Sequence, residues 1–224
     1  AVNGGTSAQN ANIVVTPTLN GCMGNSSNFN IQVDPSPGLV APLSSSHCVG
    51  ASIAATNLVS VPAGATFVWT NSNSAIGLAA SGTGDVPAFT TANAGSSALT
   101  ANISIVPTLN GCSGLASNYS ITVKPTPVLV APSNVTVCAG AQVSQITFSS
   151  NPAGAAFTWT NSNISISLAA SGNGNISAFT TVNSGSTQQQ AIIGVSPILN
   201  GCVGTIANFN INVDPIPVVT VGAN

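Results

Sequence analysis

The chain has 224 residues, of which 2% are charged and 44% hydrophobic; Lys124 is its one Lys or Arg, and its acids are Asp34, Asp85 and Asp214. Soluble domains ordinarily carry about a quarter charged residues, so a cationic surface for nucleic acid and a polybasic patch for anionic lipid are both excluded. The apolar content is also too high for a disordered chain, and no stretch approaches the ~20 apolar residues of a membrane helix, so no membrane insertion is expected.

In chain order, Ala11, Ile13 and Val15 alternate with polar or exposed neighbours, Asn20-Gly21 follows, and Phe29, Ile31 and Val33 alternate again. Period-two alternation flanking Asn-Gly predicts a β-hairpin. Pro35-Ser36-Pro37 then reads as a short, stiff connector. Beyond it come Leu39-Val40-Ala41-Pro42, Cys48, and a strand over 65–71 that places Phe67 and Trp69 on one face. Next are Ala88-Phe89-Thr90-Thr91, a second hairpin pattern (Ala101, Ile103, Ile105, then Asn110-Gly111, then Tyr119, Ile121, Val123) and Pro125-Thr126-Pro127.

The series then returns without insertion or deletion. Cys22, Cys112 and Cys202 stand 90 residues apart, as do Cys48 and Cys138, and Trp69 and Trp159. The Pro joints, the third being Pro215-Ile216-Pro217, set the frame. Residues 38–127 and 128–217 are expected to be whole repeats, 1–37 the C-terminal part of an incomplete one, and 218–224 the start of the next repeat or a linker. The chain is thus expected to be a window on a longer protein. About seven short strands per repeat, with no helical period, predict an all-β chain of tandem immunoglobulin-like sandwiches arranged as an elongated array.

Cys48-Val49-Gly50 and Cys138-Ala139-Gly140, Phe-x-Trp-Thr-Asn at 67–71 and 157–161, Leu-Ala-Ala-Ser-Gly-x-Gly, Asn-Gly-Cys-x-Gly and a closing Val-x-Pro-x-Pro together carry a family resemblance. The chain resembles the PKD-like repeats of Bacteroidota cell-surface and gliding-motility adhesins of the SprB type, over both whole repeats and the leading partial one. That resemblance implies a long adhesive or filamentous surface protein exported by type IX secretion, hence extracellular and on a bacterial cell surface.

Five cysteines without a CxxC pair point to disulfides rather than to metal or redox chemistry. One register joins Cys48 to Cys112 and Cys138 to Cys202, with Cys22 paired outside the chain. In a simple sandwich those positions fall in turns at opposite ends, too far apart for a disulfide. A Cys48–Cys202 inter-repeat staple is the second register, and free or intermolecular thiols are the third.

Trp69 and Trp159 offer sugar-stacking platforms, but their place beside Phe67 and Phe157 assigns all four to the core. His47, with Ser46 and Asp85, is the only material for a catalytic triad, and Val137 replaces the histidine in the next repeat. No catalytic site, and no enzyme, is expected. Calcium needs six to eight oxygens, several of them usually from carboxylates, and Asp34 and Asp214 share a joint position that Lys124 occupies in between. No metal or cofactor is expected. Gly82-x-Gly84 and Gly172-x-Gly174 lack the helix and Lys of a phosphate loop and read as turns.

The expected function is therefore a non-catalytic, structural or adhesive segment, a stalk or filament. Its partners are expected to be neighbouring repeats of the same chain or other copies, since an uncharged surface lacks the repulsion that keeps proteins apart. The alternative is an extracellular carbohydrate-binding or other ligand-binding module, using surface glycans as partners. Strands exchanged between chains are a further possibility, because residues 1–37 hold only the last two strands of a sandwich.

Overall fold

The computed structural model describes residues 2–219, so residues 220–224 of the expected next repeat lie outside the described residues. The chain divides into two compact units, residues 1–93 with 99–123, and residues 94–98 with 124–224.

The first unit begins with β1 (Gln9–Val15), β2 (Thr18–Leu19), β3 (Cys22–Met23) and β4 (Ser27–Val33). β1 and β4 pair antiparallel with Ile13 opposite Phe29, and β2 pairs with β3 around the turn. Asn20 and Gly21 hold φ of 47° and 84° there, the left-handed pair that a two-residue hairpin turn matching strand twist requires.

The same unit continues with β5 (Gly38–Leu39), β6 (Ser45–Cys48), β7 (Ser52–Ile53), β8 (Ser60–Val61) and β9 (Thr66–Asn71). Next come β10 (Ser81–Thr83), β11 (Phe89–Thr90), β12 (Leu99–Leu109), β13 (Cys112–Ser113) and β14 (Ser117–Lys124). One sheet runs β10-β9-β12-β14-β6, with β13 on the end of β12. The facing layer is built of short pairs, β5 with β8 and β7 with β11, plus a bridge between Thr56 and Val86.

The second unit repeats this pattern as β15 (Val128–Val130), β16 (Val135–Cys138), β17 (Gln142–Val143), β18 (Ser149–Asn151) and β19 (Ala156–Asn161). It closes with β20 (Ser171–Asn173), β21 (Phe179–Thr180), β22 (Gln189–Leu199), β23 (Cys202–Val203) and β24 (Ala207–Asp214). Its large sheet runs β16-β24-β22-β19-β20, and β16 lies parallel to β24 with Cys138 opposite Asp214. Both units are immunoglobulin-like sandwiches, each with one 3₁₀ turn (Ser74–Ile76 and Ile164–Ile166) too short to register as a helical period.

Alternation decides what faces inward. Ile103, Ile105, Tyr119, Ile121 and Val123 close the first core with Trp69, Phe67, Ile76, Leu78 and Val86. Ile193, Val195, Phe209, Ile211 and Val213 do the same with Trp159, Ile166 and Ile176, and Phe157 packs half-buried against them. Burying a side chain of this size contributes about 1.5–3 kcal/mol, so these few residues per repeat supply most of the driving force for folding.

Candidate functional site

The buried polar side chains among the described residues serve the backbone. Asn3, Asn93 and Asn183, again 90 residues apart, each donate a side-chain N–H to the carbonyl of Val33, Val123 or Val213, at 2.7, 2.9 and 2.8 Å. Thr91 and Thr181 are buried and donate their hydroxyls to Cys48 O and Cys138 O. Asn71 and Asn161 donate to Leu78 O and Leu168 O. Left unpaired, the buried carbonyls of Leu78 and Leu168 would cost about 1–3 kcal/mol each. Only the repeat spacing of these Asn and Thr residues marks them in the sequence, since the same residue types fill the surface.

Of the triad material, Asp85 is spent in the same way. The Asp85 carboxylate accepts the Leu58 amide N–H at 2.8 Å, and Asn175 accepts the Phe148 amide in the second repeat at 2.9 Å. An amide therefore does the carboxylate's work, and no charge is needed. His47 is half-buried on β6 and Ser46 is exposed beside it. At the joints, Asp34 accepts from Gln32, Asp214 accepts from Gln188, and Lys124 Nζ donates to the Asn200 carbonyl at 3.2 Å. Among the described residues no group of three His, Cys, Asp or Glu side chains is placed to hold a metal ion. No helix among them is long and apolar enough to cross a membrane.

Trp69 is 2% exposed and Trp159 7%, too little for either ring to serve as a platform for a sugar. Each lies over a glycine. Gly82 pairs with Trp69 and Gly172 with Trp159, and a Cβ on either glycine would overlap the indole ring. These two glycines are thus strand residues that permit close approach, a correction to their reading as turns. Only Gly84 and Gly174, at φ of 72° and 68°, do the turning. Burial raises the Tyr119 hydroxyl above its usual pKa of 10.0, opposed in part by Thr56.

The cysteines also need a correction. Cys112 and Cys138, two of the four expected disulfide residues, are free thiols, as is Cys22, whereas Cys48 and Cys202 are disulfide-bonded. The within-repeat pairs Cys48–Cys112 and Cys138–Cys202 are therefore not made. The second sandwich shows the reason: Cys138 lies opposite Asp214 at one end of β24, and Cys202 lies before the opposite end of that strand, at Ala207. At ~3.3 Å per residue the strand alone spans about 23 Å, against about 6 Å between the Cα atoms of a disulfide.

Residues 135–217 match the PKD-like domain family. No curated protein matches the chain. Among solved structures the chain is similar to a three-Ig structure of titin domains, an E-to-A mutated variant, at 11% identity and TM-score 0.47, covering 94% of this chain and 75% of that one. It is similar to the Protocadherin GammaB4 extracellular domain at 13% identity and TM-score 0.38, covering 92% and 40% respectively. A third similar structure is the N-terminal Ig1-2 module of the Drosophila receptor protein tyrosine phosphatase DLAR, at 15% identity and TM-score 0.27, covering 80% and 99%. The family match covers the second unit, and the sheet topology of both units is that of an immunoglobulin-like sandwich.

Proposed function

We propose that the chain is a non-catalytic, structural and adhesive segment of a large secreted surface protein, an extended stalk or filament of the kind used in bacterial surface adhesion or gliding. The observation that carries this reading is the repetition itself. The same clamps and the same core recur at 90-residue spacing, and the Asp85 carboxylate is spent in one of them. A disulfide supports an oxidising, extracellular setting. The repeat frame of 1–37, 38–127, 128–217 and 218–224 belongs to this proposal. So does the Cys48–Cys202 inter-repeat staple, favoured because Cys112 and Cys138 are free. Non-reducing peptide mapping tests that staple, and a Cys48–Cys112 peptide would refute it.

Adhesion by an uncharged surface has a signature. Beads coated with the chain should hold to a polar or glycan-coated surface with strength unchanged between low and high salt, because there are few charges to screen. Loss of adhesion in high salt, or no adhesion beyond that of uncoated beads, would count against the reading. Carbohydrate binding through an aromatic platform has less support, since both Trp rings are core residues.

A further inference from the structure

The hairpin of β1 and β4 has the sequence pattern of β12 with β14 and of β22 with β24, and it has their register. Ile13 stands opposite Phe29 as Ile103 stands opposite Tyr119 and Ile193 opposite Phe209. Its apolar face is nevertheless bare: Ile13, Phe29 and Ile31 are 37%, 53% and 44% exposed, whereas their equivalents in the two sandwiches are at most 6% exposed. We infer that this face is an interaction surface for a half-repeat of the same kind, a stretch with the sequence pattern of residues 38–90 that lays its Phe-x-Trp strand along the free edge of β1.

Two independent features specify that occupant. The first is the edge. β12 pairs with β9 so that Ile103, Ile105 and Pro107 face Asn71, Trp69 and Phe67, and β22 pairs with β19 so that Ile193, Val195 and Pro197 face Asn161, Trp159 and Phe157. Moved by one repeat, the incoming strand sets its Asn opposite Ile13, its Trp opposite Val15 and its Phe opposite Pro17. The outer edge of β4 takes a parallel strand, as β24 takes β16 with Val135 beside Ile211. An edge strand with an apolar face gains both main-chain hydrogen bonds and side-chain burial from such an addition.

The second feature is a glycine cradle. A Cβ on Gly114 would overlap the carbonyl of Pro37, and one on Gly204 the carbonyl of Pro127, so in each sandwich the Pro joint that enters the repeat rests on this glycine. At Gly24 the three nearest atoms all belong to the hairpin's own Pro17, and a cavity of about 320 Å³ lies there, lined by Pro17, Leu19, Cys22 and Met23 among others. The occupant thus arrives with a Pro joint at its leading end, as residues 38–90 do after Pro37.

The inference rests on the repeat register and stands whether or not the chain adheres to surfaces. Its test is amide hydrogen exchange on the full chain, with and without a copy of residues 35–90 joined ahead of Ala1. The extension should slow exchange in β1 and β4 at least about a hundredfold, since an isolated hairpin is marginally stable and a completed sandwich opens only with its core. Adding I13N and F29N to the extended chain should return exchange to that of the original. Unchanged exchange on extension, or protection that survives both substitutions, overturns the inference. So does an unextended chain that sediments as a dimer with β1 and β4 already protected, because the occupant is then a second copy of the hairpin.

Discussion

The hairpin of residues 9–33 and the hairpin of residues 189–213 differ in almost nothing local. Both alternate in the same phase, both turn on Asn-Gly with left-handed φ, and both are clamped at entry by an Asn side chain on the last Val carbonyl. They differ in what covers them: Ile13 is exposed, whereas Ile193 has Trp159, Ile166 and Ile176 in its core. Register is therefore a property of the hairpin's own sequence, and burial is a property of the strands brought against it.

Truncating the two equivalent isoleucines should separate the hairpins most strongly. Ile193→Ala should cost the second sandwich about 2–5 kcal/mol, the usual range for a filled core site, while Ile13→Ala should move stability by no more than about 0.5 kcal/mol. Urea melts of the two variants would show this, and equal costs would mean that the hairpin face is already covered. Gly172→Ala comes next. Its Cβ overlaps the Trp159 ring, so a loss of about 1–3 kcal/mol is expected from overpacking, with a change in near-ultraviolet circular dichroism. The turn is the leveller: Asn20→Ala and Asn200→Ala both place a Cβ-bearing residue with no side-chain amide at positive φ, and each should weaken its own hairpin by about 1 kcal/mol.

The smallest effect separates the two sandwiches. Tyr119 occupies the core position that Phe209 holds in the second repeat. Its pKa is raised in the folded state by burial, so the folded form keeps a proton that the unfolded form loses near pH 10. The stabilisation is complete below the unfolded pKa and is lost as pH rises through the folded one. An alkaline series of thermal melts should therefore weaken the first sandwich above about pH 10 and leave the second unaffected by this group. Tyr119→Phe should remove the difference.

The strands and the core pairs were legible because alternation, Asn-Gly turns and the Phe-x-Trp spacing are local signals that the repeat prints more than once. The roles of Gly82 and Gly172 were not, because a glycine beneath an indole and a glycine in a turn look alike until the partner strand is placed. The Asn and Thr clamps were hidden by composition: in a chain whose polar surface is made of the same residues, a buried Thr181 cannot be told from an exposed neighbour. Of the three cysteine registers left open by the sequence, the within-repeat one fails for the topological reason that strand order already suggested: β16 running parallel to β24 sends Cys138 to the end away from Cys202.

The most direct test of one local hairpin in two tertiary settings is residue-resolved amide exchange on the native 224-residue chain. Amides of Ile193, Val195, Phe209 and Ile211 should exchange only with opening of the second sandwich, and those of Ile13, Val15, Phe29 and Ile31 far faster through local opening. Equal protection of the two hairpins would contradict this expectation.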